Sequence, residues 1–194
     1  IIVFIMLIVY SGLSAQDIIG KVIFKVGSCK LEKGQNLNVN NKIKEGDVII
    51  TGKSSILKIE LNNGSVIKIM PNSKIIVNII KTNKENRYAF GVINGAIDSG
   101  VEKINEKGYY RVYTPTAVAG VRGTSFTVMV VNGKSSIIVK SGKVIVDNDK
   151  KQIEVTPNIK VTIEINGELE KDKEEKIDEE KDYEEFTKKT EDVK

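Results

Sequence analysis

The chain of 194 residues contains no histidine, no tryptophan, one cysteine and three prolines, and only 6% of it is aromatic. Without histidine there is no His-dependent catalytic triad and no Cys/His zinc site of the usual kind. A lone Cys29 cannot build an internal disulfide framework. It reads as a small, partly buried side chain in or beside a short strand, with pairing between chains as the alternative. Pro71, Pro115 and Pro157 fall at strand edges or turns, where a missing N–H does least harm. What is present is an apolar content of 40%, too high for a mainly disordered chain. The length suggests one domain, or one domain plus appendages.

The first residues read as an address. Ile1 to Tyr10 is an unbroken apolar run, followed by Ser11-Gly12-Leu13-Ser14-Ala15 and then polar Gln16-Asp17. The pattern resembles the h-region and cleavage site of a secretory signal peptide. Ten residues fall short of the ~20 that cross a bilayer. The expectation is a signal peptide over 1–15, cleaved after Ala15, and a periplasmic or secreted protein. An uncleaved membrane anchor is the alternative. Leu13 stands where a small residue is usual, and Gln16 stands where lipid attachment would need cysteine.

From 17 to 167 the apolar pattern has a period of two. Leu57, Ile59 and Leu61 alternate with Lys58 and Glu60, and Phe126, Val128 and Val130 alternate with Ser125, Thr127 and Met129. Val22, Phe24 and Val26 alternate with Ile23 and Lys25, and Ile159, Val161, Ile163 and Ile165 with Lys160, Thr162 and Glu164. Such alternation places one face on a core, and Ile and Val suit a pleated, half-buried surface. Asn132-Gly133 and Ser141-Gly142 separate 125–131, 134–140 and 143–147, which predicts a three-stranded meander. Asn63-Gly64 joins 55–61 to 65–70 in the same manner. No convincing amphipathic helix precedes residue 168. The fold class is all-β, with about a dozen strands, built as a hairpin-rich β-sandwich or a short β-helix-like stack. The stretch Gly52-Lys53-Ser54-Ser55-Ile56 returns as Gly133-Lys134-Ser135-Ser136-Ile137, which hints at similar hairpins; two copies are too few for a solenoid.

Residues 168–194 differ in kind. They hold thirteen acidic residues and seven lysines, a net of −6, which leaves +10 on residues 1–167. This reads as a solvated charged tail, helical or disordered, with folding back onto a basic body as the sharper alternative. The expected division is 1–15 signal peptide, 17–167 β domain and 168–194 tail.

Two stretches carry a resemblance. One is Glu45-Gly46-Asp47-Val48-Ile49-Ile50-Thr51-Gly52-Lys53-Ser54-Ser55, followed by Leu57 to Leu61 and Asn63-Gly64-Ser65. The other runs Tyr113-Thr114-Pro115-Thr116-Ala117-Val118-Ala119-Gly120-Val121-Arg122-Gly123-Thr124-Ser125-Phe126. Over about residues 20 to 147 the order of these elements resembles the FecR domain, and Val-Arg-Gly-Thr-x-Phe is the more specific part. The resemblance implies an all-β, non-enzymatic domain outside the cytoplasmic membrane that relays the state of an outer-membrane receptor in sigma-factor signalling. Ahead of 1–15 there is no room for a cytoplasmic sigma-binding region unless the start is truncated, so the expectation is a stand-alone exported FecR domain whose job is binding. Its motif residues Gly46, Asp47, Thr51, Gly52, Gly64, Thr114, Pro115, Arg122, Gly123, Thr124 and Phe126 are expected to be structural. Arg122 is the only charge in its Val/Ala/Gly stretch. If buried it must be paired, and Asp47 is the candidate partner.

Other motifs fail. Gly-Lys-Ser at 52–54 and 133–135 lacks the upstream glycine and following helix of a P-loop, since Asp47 and Val128 stand there. Asp147-Asn148-Asp149 lacks the glycine and glutamate of a calcium loop, Gln152 and Asn158 occupying those places. Tyr109, Tyr110 and Tyr113 near Arg111 form an aromatic-basic patch or pack across a sheet. No cofactor and no metal are expected, and no enzymatic activity. A protein partner in the cell envelope comes first. An anionic envelope glycan and self-association through sheet edges are the alternatives, and nucleic acid is not expected.

Overall fold

The computed structural model describes residues 17–82, 85–102 and 110–172, so the expected signal segment, 1–15, lies outside the described residues. The strands in order are β1 (Ile18–Val26), β2 (Cys29–Leu31), β3 (Lys42–Lys44), β4 (Val48–Thr51), β5 (Ile56–Leu61), β6 (Val66–Ile69), β7 (Lys74–Thr82) and β8 (Glu85–Gly100). After these come β9 (Tyr110–Tyr113), β10 (Val118–Val121), β11 (Ser125–Val131), β12 (Lys134–Ser141), β13 (Val144–Asp147), β14 (Gln152–Val155), β15 (Lys160–Ile163) and β16 (Leu169–Asp172). Among the described residues there is no helix. The all-β expectation holds.

The strands form two layers. One runs β3-β1-β5-β6-β8-β11-β12-β15-β16, the other β2-β4-β7-β8-β9-β10-β13-β14. Every pairing is antiparallel except β8 with β9. Hairpins alternate between the layers, so the chain winds around a single interior, and the sandwich and stack descriptions both apply. The alternation read from sequence does the packing: Leu57, Ile59 and Leu61 of one layer and Ile49, Ile75 and Val77 of the other share one buried cluster. Tyr110 bridges the layers, with its ring 5.3 Å from Phe90 and 6.0 Å, edge-on, from Phe126.

β8 belongs to both layers. Residues from Glu85 to Asn94 pair with β7, and those from Gly95 to Gly100 pair with β11. The bend is at Gly95, whose φ is +92°, and a Cβ there would lie 2.1 Å from Ser73 Oγ and 2.4 Å from Ser73 Cα. Only glycine fits, on both dihedral and steric grounds.

Four local expectations need correction. The meander is absent: β13 lies in the other layer, between β10 and β14, because Ser141-Gly142 turns a corner between layers and not a hairpin. On β1 the ladder slips between Val22 and Phe24. That bulge moves every later side chain to the opposite face, so Val22 is buried while Phe24 and Val26 are 43% and 46% exposed. β15 ends at Ile163, leaving Ile165 in a turn and 70% exposed. Strand pairing also passes the expected boundary at 168, since β16 runs along β15 from Ile163↔Leu169 to Lys160↔Asp172. The remainder of the acid-rich segment, 173–194, lies outside the described residues.

The Gly-Lys-Ser-Ser-Ile echo is not a structural repeat. The first copy rounds a corner between layers, with its positive φ at Ser54. The second copy begins in a tight hairpin, with Asn132 and Gly133 at φ 51° and 78°, as a two-residue turn of type I′ requires.

Candidate functional site

The motif residues gather where the chain turns or crosses between layers. Gly46 (φ 80°) closes the turn before β4 and donates its N–H to Val77 O at 2.8 Å. Asp47, 5% exposed, accepts the Lys44 N–H through Oδ2 at 2.9 Å and meets Lys33 Nζ through Oδ1 at 3.3 Å. Thr51 donates its hydroxyl to Met70 O at 2.6 Å and accepts the Ser73 N–H at 2.9 Å. Gly52 donates its N–H to Ser28 O at 2.8 Å. Gly64 (φ 85°) turns β5 into β6.

The second motif repeats the device. Thr114 Oγ1 donates to Ala117 O at 2.9 Å and accepts from Ser135 Oγ at 2.7 Å, with Pro115 exposed at the tip of the β9–β10 turn. Gly123 (φ 66°) precedes Thr124, which is buried and donates its hydroxyl to Lys143 O at 2.9 Å. Phe126 fills the core. Hydroxyls are suited to such corners because one small group satisfies a carbonyl and an N–H that no ladder reaches.

Arg122 departs from expectation. It is exposed, and it does not pair with Asp47. The carboxylate of Asp47 is already engaged by Lys33 and Lys44, and β4 lies four strand positions from β10, ~19 Å away at the usual spacing.

Arg122 instead lines an open groove of about 660 Å³ on the outer face of β9, β10, β13 and β14. Its floor is Val118, Gly120 and Ile145, with Tyr113 at the side. Arg111 and Lys143 join Arg122 at one end, and Asp147, Asp149 and Gln152 line the other. Lys143 Nζ also meets Glu154 Oε2 at 2.8 Å. The tyrosines part company accordingly: Tyr110 is core and Tyr113 is groove, while Tyr109 lies outside the described residues. Sequence reading missed Val118, Gly120, Lys143, Ile145, Asp147 and Gln152 as one surface. Val118-Ala119-Gly120-Val121 carries no polar alternation that marks an outward face, and the expected meander places β13 beside β12.

Two side chains have displaced acidities. Burial pushes the Tyr110 phenol well above its ordinary range; its 2.9 Å hydrogen bond with Ser99 opposes the shift and the charge of Asp98 adds to it. Burial also raises the Cys29 thiol, with Lys25 acting the other way. Among the described residues no cluster of three or more Cys, Asp or Glu could hold a metal ion, and no helix is long and apolar enough to cross a membrane. Asp147-Asn148-Asp149 is a turn, in which Asn148 Oδ1 accepts the Lys151 N–H at 2.9 Å and Nδ2 donates to Gly167 O at 2.8 Å.

Comparison with known proteins agrees with this geometry. The family model described as FecR protein matches residues 47–145, from the Asp47 turn into β13. No curated protein matches. Two crystal structures of a candidate anti-sigma factor from Parabacteroides distasonis, at 1.65 and 2.50 Å resolution, are similar to the chain. Each gives a TM-score of 0.57 at 21% identity, covering 66% of this chain and 60% of that one. The likeness is one of fold, and the chain spans 60% of the length of those structures.

Proposed function

The chain belongs to the FecR family, and on that premise we propose that it is a non-enzymatic, extracytoplasmic binding and signalling module of the cell envelope that relays the state of a protein partner. The match over 47–145 carries the reading, because it runs from Asp47 of the first motif stretch through the whole of the second and includes the threonine corners they build. Those corners use the motif hydroxyls for backbone bonds, and the polar side chains left outward line an open groove of mixed charge. A rigid body with an outward polar surface suits docking. The export pattern at 1–15 supports an envelope location.

The test is gentle crosslinking of the exported protein in intact cells, followed by identification of the adducts. Capture of an envelope protein is expected; a clean blank would sink the reading. N-terminal sequencing of the mature protein is expected to begin at Gln16.

One observation favours a second reading, self-association through a sheet edge. Ile23, Phe24 and Val26 are exposed on β1, beyond the residues that β3 covers. Apolar edges of this kind invite pairing. Light scattering decides: a monomer at high concentration removes this alternative.

A further inference from the structure

The outward face of the first layer carries a patch apart from the groove. Register aligns Phe24, Lys58, Lys68 and Asp98 in one cross-strand row. Two residues along β1, β5 and β6, on the same face, stand Val26, Ile56 and Met70. Phe24 and Val26 are exposed, and Ile56, Lys58, Lys68 and Met70 are half-buried. Lys58 and Lys68 face each other directly, an opposition of like charges that costs stability. Neither has a carboxylate partner among the described residues. Asp98 is held by Lys140 Nζ at 3.2 Å and by the Thr127 hydroxyl at 3.1 Å. Glu60, beside Lys58 on β5, is held by Lys21 at 3.0 Å. Lys58 Nζ instead lies 5.4 Å from the centre of the Phe24 ring. The patch thus joins four apolar side chains to two cations that no carboxylate of the described residues neutralises. The groove of the second layer differs, since Arg111 and Arg122 are already engaged and Lys143 is paired with Glu154.

We infer that the chain's own segment 174–186 covers this patch, with its carboxylates over Lys58 and Lys68 and with Tyr183 and Phe186 against the apolar side chains. The segment holds eight carboxylates against two lysines, so its charge and its aromatic rings both match the patch. It also starts in the right place. The row that opens at Phe24 runs on from Asp98 through Thr127, Ile138 and Lys160 to Asp172, the last residue of β16. Lys160, the first cation on that path, is likewise without a carboxylate partner among the described residues. Seven strand spacings, ~34 Å, separate Asp172 from Phe24, and Met70 is two spacings nearer. Tyr183 lies eleven residues beyond Asp172 and Phe186 fourteen, reaches of ~36 and ~46 Å in an extended chain. Tethering raises the effective concentration of the segment at the patch. A second copy fits less well, because a two-fold contact here would set two Lys58–Lys68 pairs against each other.

The chain contains no tryptophan, so Phe186→Trp places a single reporter in the full chain. Its emission is expected to be blue-shifted from that of a synthetic peptide of residues 173–194 carrying the same substitution. Lys58→Glu with Lys68→Glu should abolish the shift. So should Glu179→Lys, Glu180→Lys, Glu184→Lys and Glu185→Lys together, and joining the two sets should restore it. The second set lies outside the described strands, so it tests the contact even where the first impairs folding. Emission equal to that of the peptide, or a shift that ignores both sets, would overturn the inference. Proximity is the second measure. Under mild oxidation Met70→Cys with Phe186→Cys should close a disulfide at least about tenfold faster than Ile145→Cys, on the other layer, with Phe186→Cys. Cys29 is buried and takes no part. Equal rates would overturn the inference. So would disulfides found only between chains, in a yield that climbs with concentration, which would give the patch to a second copy. None of these outcomes depends on an envelope partner, so the module reading stands or falls by its own crosslinking test.

Discussion

The chain crosses between layers at two threonine corners, and they differ. At the first, Thr51 joins the β4–β5 crossing to the β6–β7 crossing, and Ser73 extends the chain of buried hydroxyls by accepting the Ala96 N–H at 2.9 Å beside the β8 bend. At the second, Thr124 joins the β10–β11 crossing to the β12–β13 crossing through Lys143. There Gly142 is held close: a Cβ on it would lie 2.8 Å from both Gly123 O and Thr124 Oγ1. The hydroxyl does the same work at both places. At the first corner both bonded residues, Thr51 and Ser73, are buried, with Lys53 and Ser54 exposed beyond them, whereas at the second the partner of buried Thr124 is exposed Lys143, beside exposed Arg122 and Gly142. Where a threonine fixes the crossing, the outward residues beside it lie on the surface.

That contrast can be broken by substitution. The largest effect is expected beside the first corner. Gly95→Val forces a β-branched residue to positive φ and into the backbone of Ser73, and should cost more than about 3 kcal/mol in urea unfolding; a stable variant would mean the bend is not fixed there. Next comes the pair of threonines. Thr51→Val strands the Ser73 N–H in a dry interior and should cost about 2–3 kcal/mol. Thr124→Val should cost only about 1 kcal/mol, since water can reach the neighbouring backbone. Equal losses would erase the distinction between the corners.

A third test uses alkali. Folding holds Tyr110 in its neutral form, while the unfolded phenol ionises near pH ~10. Above that pH the unfolded state releases a proton the folded state keeps, so stability falls, by about 1.4 kcal/mol per pH unit for this group. Tyr110→Phe should flatten the decline in urea midpoints between about pH 10 and 11.5 relative to wild type, and an unaltered slope would place the alkaline sensitivity elsewhere. The smallest effect belongs to the open corner: Arg122→Ala should shift stability by no more than about 0.5 kcal/mol. A large loss of melting temperature there would restore Arg122 to a structural role.

The interior was legible because a two-residue period states which side chains are buried. Leu57, Ile59, Leu61, Phe126, Val128 and Val130 all lie in the core. What escaped was any feature set by a single extra residue or by layer membership. Ile23 adds one residue to β1 and exposes Phe24 and Val26, and no propensity marks it. Ser141-Gly142 has the composition of a hairpin turn but serves as a corner, because the Thr124 hydroxyl, distant in sequence, holds Lys143. The same misplacement hid the groove, whose rows exist only when β10 and β13 are neighbours. Arg122 stands out from its apolar surroundings in the sequence, yet the expectation of burial follows from the chain neighbours alone. Its exposure continues the alternation of β10, in which Val118 and Gly120 face outward and Ala119 and Val121 face the core.

The shared strand β8 has a mechanical consequence. Because one continuous backbone serves both layers, neither can be lifted from the other without dismantling the ladders on each side of Gly95. Severing the chain between residues 82 and 110 would leave one fragment with an orphaned half-core, so the body should melt in a single step. Force applied at the groove would reach the opposite layer through covalent bonds and not through packing alone.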